Sequence, residues 1–93
     1  MTLDDIVKLL SENTIDKRNH KKIILECGAT HLAVDECGEV YAWKGEPEPN
    51  ELSDGSCGEW LGYGKAQCTL YFGDIPHPAD SGQDWKELLI KLP

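Results

Sequence analysis

The sequence predicts a small α+β domain. It would hold an antiparallel β-meander of about four strands, with a helix at each end of the chain. Three observations predict this. Apolar residues recur at i, i+3, i+4, i+7 near both ends, the spacing of one helix face. The stretch Ile23–Trp43 holds the densest β-branched and aromatic content. Turn signals at Gly28-Ala29-Thr30 and Glu36-Cys37-Gly38-Glu39 cut that stretch into strand-sized pieces. With 93 residues, 1–93 is expected to form one domain with a thin core.

At the N-terminus, Thr2-Leu3-Asp4-Asp5 has the form of a capping box with Asp in place of Glu. Leu3, Ile6, Val7 and Leu10 follow as one apolar stripe, and the helix should stop near Asn13. Residues 14–22, TIDKRNHKK, carry Lys17, Arg18, Lys21 and Lys22 and are expected to be a solvated basic connector. A strand is expected from 23, with Ile23, Leu25 and Cys27 on one face and Ile24 and Glu26 on the other. Leu32 and Val34 continue the pattern after the first turn. Gly38 suits a hairpin position of positive φ, and Glu39–Lys44 follows as the next strand.

The stretch 45–64 is rich in glycine and carries five acids with no Lys or Arg. Pro47 and Pro49 remove backbone donors, so 45–57 is expected to be an exposed acidic loop. A short strand around Glu59-Trp60-Leu61 should follow. In Gln67–Phe72, Cys68, Leu70 and Phe72 alternate with Thr69 and Tyr71 as a clearer strand. Residues 73–80, GDIPHPAD, are a proline-braced turn region. Ser81 followed by Asp84 repeats the capping signal. Trp85, Leu88, Leu89 and Leu92 then predict a second amphipathic helix.

Seventeen acidic against nine basic residues give a formal net charge of -8. That opposes direct binding to nucleic acid or an anionic membrane, both of which present phosphate, and favours a basic protein partner. A homodimer is one way for so small a chain to add buried area. The acidic start, Met1-Thr2-Leu3-Asp4-Asp5, is unlike a secretory leader, and no apolar run approaches a membrane span. The expected setting is the cytoplasm, with Cys27, Cys37, Cys57 and Cys68 as reduced thiols.

Little convergent chemistry is visible. The cysteines are separated by 9, 19 and 10 intervening residues, without the short pairs of a zinc knuckle, so no metal is expected. Gly64-Lys65 mimics the end of a phosphate loop, but Glu59 and Ala66 stand where it needs Gly and Ser or Thr. Asn50–Gly55 lacks the alternating acids of a calcium loop. Cys57 and His77 allow a thiol–imidazole dyad to be drawn, though nothing in their spacing requires it. Trp43, Trp60 and Trp85 are large apolar side chains suited to a thin core, and Trp60 is the one placed to be exposed.

The runs Asp84-Trp85-Lys86-Glu87-Leu88-Leu89-Ile90-Lys91-Leu92-Pro93 and Val40-Tyr41-Ala42-Trp43-Lys44-Gly45-Glu46-Pro47 resemble small accessory proteins of tailed phages and prophages. The resemblance implies an accessory role in a bacterial host and transfers no catalytic residue. The expected function is protein–protein contact without enzymatic activity or cofactor. Glu46, Glu48, Glu51, Asp54 and Glu59 would steer a basic partner and Trp60 would anchor it. Two alternatives stand beside it: an acidic DNA mimic that blocks a DNA-binding protein, and a small thiol enzyme using Cys57 and His77.

Overall fold

A computed structural model of the chain describes residues 1–13, 18–52 and 54–93. The order is α1 (Leu3–Asn13), α2 (His20–Glu26), β1 (His31–Val34), β2 (Glu39–Lys44), β3 (Glu48–Asn50), β4 (Glu59–Leu61), β5 (Gln67–Asp74) and β6 (Leu89–Lys91). Two 3-10 turns, Pro78–Ser81 and Trp85–Glu87, lie between β5 and β6. The chain is α+β, with an N-terminal helix and antiparallel sheets.

The start of α1 is fixed by the expected capping box. Thr2 N donates to Asp5 Oδ2 at 2.8 Å, and Asp5 N donates to Thr2 Oγ1 at 3.2 Å. Ile6 and Leu10 of its stripe are fully buried.

The first correction concerns His20–Glu26. These residues form a helix where alternation suggested a connector and a strand. Asn19 caps it, accepting from Lys22 N at 3.1 Å. His20 and Ile24, four apart, turn inward while Leu25 is exposed, which is helical spacing. Lys21 and Lys22 are helical surface residues, and Lys17 of the basic run lies outside the described residues.

Four strands form one antiparallel sheet in the order β5-β2-β1-β6, and β3 and β4 form a separate hairpin. Gly38 has φ 91° and lies where a Cβ would meet the Ile75 carbonyl oxygen at 2.0 Å, so only glycine fits this turn. Alternation along the strands gives the sheet two faces. Leu32, Val34, Val40 and Ala42 pack with Ile6, Leu10 and Ile24 from the helices. On the opposite face, Ala33 and Trp43 pack with Trp60 of the hairpin and with Trp85. Helices, sheet and hairpin therefore stack as three layers.

The second correction is at the C-terminus. The expected helix from Trp85 is a single 3-10 turn followed by strand β6. Asp84 caps that turn, accepting from Lys86 N at 3.0 Å, whereas Ser81 donates to the Pro78 carbonyl within the earlier turn. The free edge of β1 takes up the rest. Ala33 pairs with Leu89 and His31 with Lys91, flanked by Val34 N to Leu88 O and Leu92 N to Thr30 O. A whole ladder of backbone bonds outweighs a weak local helix preference.

The third correction is in the acidic stretch. Glu48–Asn50 is a strand despite Pro49, which pairs opposite Trp60. A two-stranded ribbon has an outer edge where a missing N–H breaks no ladder bond. Finally, Cys37 and Cys57 form a disulfide, and only Cys27 and Cys68 are free thiols.

Candidate functional site

The hairpin β3–β4 is fastened to the sheet through four consecutive residues at the end of β1. The Val34 carbonyl accepts from Trp60 Nε1 at 2.8 Å. Asp35 Oδ1 accepts from Trp60 N at 3.0 Å. Glu36 exchanges two bonds with Gly58: Gly58 N donates to Glu36 Oε1 at 2.7 Å, and Glu36 N donates to Gly58 O at 3.1 Å. Cys37 closes the set through its bridge to Cys57. Gly58 must be glycine here, since a Cβ would lie 2.4 Å from the Trp85 ring.

This fastening settles two expectations. Trp60 is 4% exposed, packed edge-on to Trp85 with ring centroids 5.9 Å apart, and is no free surface anchor. Its flanking glycines suggested exposure, but they are there so that Trp85 and the chain can approach. The Cys57–His77 dyad is not assembled in this structure, where the Cys57 sulfur is bonded to Cys37 and has no thiolate to offer.

The acidic residues fare differently. Glu46, Glu48, Glu51, Asp54 and Glu59 are all exposed, on or beside the hairpin. Glu51 pairs with Lys86 at 2.6 Å, across to the turn that carries Trp85. Asp54 accepts from Ser56 N at 2.9 Å, and that bond holds its carboxyl below the usual range. Glu59 does more than sit on the surface, because it lines a pocket.

That pocket, about 180 Å³, lies where the hairpin leaves the sheet only partly covered. Its walls are Asp35, Tyr41, Trp43, Glu59, Trp60 and Cys68. Strand register explains the grouping: Trp43 pairs with Cys68 and Tyr41 with Tyr71, and the register shift between Ala42 and Trp43 brings both partners to one sheet face. Tyr41 and Tyr71 are tilted rings 5.1 Å apart. Tyr41 Oη donates to Glu39 at 2.6 Å, which raises the phenol pKa and keeps it neutral. Tyr71 Oη donates to Asp74 at 2.5 Å, pushing its pKa up to about 12.

Asp35 is the distinctive member. It is 7% exposed, and burial pushes its carboxyl up to about 6. The bond from Trp60 N works against that rise, while the charges of Glu39 and Glu59 add to it. Among the described residues, neither Asp35 nor Glu59 has a cationic partner. Burial and the neighbouring Asp35 charge also raise the Cys68 thiol, so it is a poor nucleophile. Among the described residues, no group of three His, Cys, Asp or Glu side chains is arranged to hold a metal ion. Sequence reading missed Asp35, Tyr41, Trp43 and Cys68 as pocket residues. The one available signal was alternation, which places Tyr41 and Trp43 on a common strand face.

Comparison of the chain with family models, with curated proteins and with solved structures finds no match. Among the described residues no helix is long and apolar enough to cross a membrane.

Proposed function

We propose that this protein is a small binding module, derived from a phage or prophage, which acts by contact with a basic protein and carries out no reaction. The observation that carries the reading is the fastening of the hairpin. A run of exposed carboxylates, Glu46, Glu48, Glu51, Asp54 and Glu59, is borne on a ribbon tied to the sheet through Val34, Asp35, Glu36 and Cys37. Charges on a fixed ribbon keep their pattern. They steer a partner of opposite sign and cost little ordering entropy on binding.

The bacterial cytoplasm is the setting that the phage resemblance suggests. There Cys37 and Cys57 would be largely reduced, whereas an oxidising compartment would keep the hairpin covalently tied.

The test is affinity capture from a bacterial host with mass-spectrometric identification, repeated for the Glu46→Gln, Glu48→Gln, Glu51→Gln, Asp54→Asn variant. The expected result is a basic partner retained by the wild type, released by raised salt, and lost with the variant. Equal recovery by both proteins would overturn the reading.

A further inference from the structure

We propose that the pocket between β1, β2, β4 and β5 takes an arginine side chain presented by the partner. The inference rests on the binding-module reading and names the group that the module recognises.

Size is the first ground. A cavity of about 180 Å³ lies below the roughly 300–1,000 Å³ of sites that enclose drug-sized ligands or cofactors. It has room for one long side chain.

Charge is the second. Asp35 and Glu59 line the pocket, and Glu39 lies close enough to act on Asp35. Among the described residues no Lys or Arg answers Asp35 or Glu59. A buried carboxylate facing two others is unfavourable by itself and favourable once a cation enters. Asparagine at position 35 would still accept from Trp60 N and would carry no such cost. The charge is therefore the feature that needs a role.

The walls are the third ground. Tyr41, Trp43 and Trp60 offer flat aromatic surface beside the carboxylates. A planar guanidinium stacks on such rings while its fork of N–H groups meets a carboxylate, and a compact, strongly hydrated ammonium does this less well. A metal ion is disfavoured, because the donor geometry for one is absent among the described residues.

Ligand and proton compete for Asp35. The groups that face it are Glu39 and Tyr41 of β2, Glu59 and Trp60 of β4, and Cys68 of β5. Tyr41 and Cys68 are held neutral, and an arginine probe does not titrate, so the loss of affinity on acidification is expected to follow the Asp35 carboxyl. With that carboxyl at about 6, affinity is expected to fall about tenfold between pH 7 and pH 5.

The experiment is NMR titration of the whole protein, read at the indole N–H signals of Trp43 and Trp60. The probe is a blocked peptide with one arginine between glycines. Control peptides carry lysine or the neutral isostere citrulline at that place. The expected result is a saturable shift with arginine, weaker binding with lysine and none with citrulline. Asp35→Asn should weaken arginine binding about tenfold or more and flatten its pH dependence. Glu59→Gln alters an exposed residue that leaves the fold intact, and should weaken binding about threefold. Equal binding of citrulline, lysine binding as tight as arginine, or indifference to both substitutions would overturn the inference. Those results would leave the binding module standing, since its own test reads the outer carboxylates.

Discussion

The two faces of the four-stranded sheet are covered by different means. The helix-covered face is aliphatic apart from Phe72, and closed: Ile6, Leu10, Ile24, Leu32, Val34, Val40 and Ala42 are all completely buried. The hairpin-covered face is aromatic, partly open and polar at its edge, with Trp43, Trp60, Trp85, the pocket and Asp35. One cover is held on by apolar packing. The other needs hydrogen bonds from Val34, Asp35 and Glu36 and a disulfide from Cys37. A face that serves only to stabilise can be packed to closure. A face that admits a ligand must stay incomplete, and its cover must be tied by something other than core.

The largest effect tests the filled face. Leu32→Ala removes a completely buried side chain between helices and sheet and should cost about 2–5 kcal/mol, read from urea unfolding. Arginine-peptide affinity of the folded fraction should stay unchanged. A matching loss of affinity would mean that the two faces are not independent.

Removing the tie on the other face comes next. Cys37→Ala with Cys57→Ala opens a loop with a sequence separation of 20 residues, and should cost about 3 kcal/mol by loss of the constraint on the unfolded chain. Reductant should destabilise the wild type by a similar amount and leave the variant unmoved. Hydrogen exchange should quicken in β3 and β4 more than in β1 and β2. Uniform quickening would show that the hairpin is no separate layer.

The same contrast governs what was readable beforehand. The filled face rests on local signals. The Thr2–Asp5 capping box, the Leu3–Leu10 stripe and the alternation in Glu39–Lys44 all reappear in the structure. The errors arise where a local cap overrides residue preference or where distant pairing decides. Ile23-Ile24-Leu25 carries strand-favouring residues, yet the Asn19 cap and the inward turn of His20 and Ile24 make it a helix. Trp85–Leu92 has helical spacing, yet the open edge of β1 draws it into a strand. The pocket was the least legible part. Asp35 was an unremarkable turn acid until β4, 25 residues further on, brought Trp60 N against it. The carboxylates of the outer rim were legible because exposure of charge needs no partner.

Asp35→Asn gives the smallest stability effect and the sharpest contrast between the faces. The folded carboxyl titrates at about 6 against an ordinary value of 3.8, so the folded state holds its proton more tightly than the unfolded chain does. The stabilisation is fully present below about pH 4 and is lost as pH rises through about 6. The ionised carboxylate then costs on the order of 2 kcal/mol. Asp5 and Asp54, whose pKa values are lowered by hydrogen bonds to Thr2 and Ser56, act in the opposite sense and below the ordinary 3.8. Subtracting the unfolding free energy of Asp35→Asn from that of the wild type across the window from about pH 4 to about 6 removes the general repulsion of a chain of charge -8. The difference should fall by about 2 kcal/mol as pH rises, leaving the variant the more stable protein at neutral pH. Saturating arginine peptide should stabilise the wild type more than the variant at the upper end of this window, by about 1.4 kcal/mol for a tenfold difference in affinity, because a ligand that pairs with the carboxylate offsets the cost of burying it. A difference flat from pH 4 to pH 6 would mean that Asp35 bears no unpaired charge, and the hairpin face would then be a second core with a gap in it.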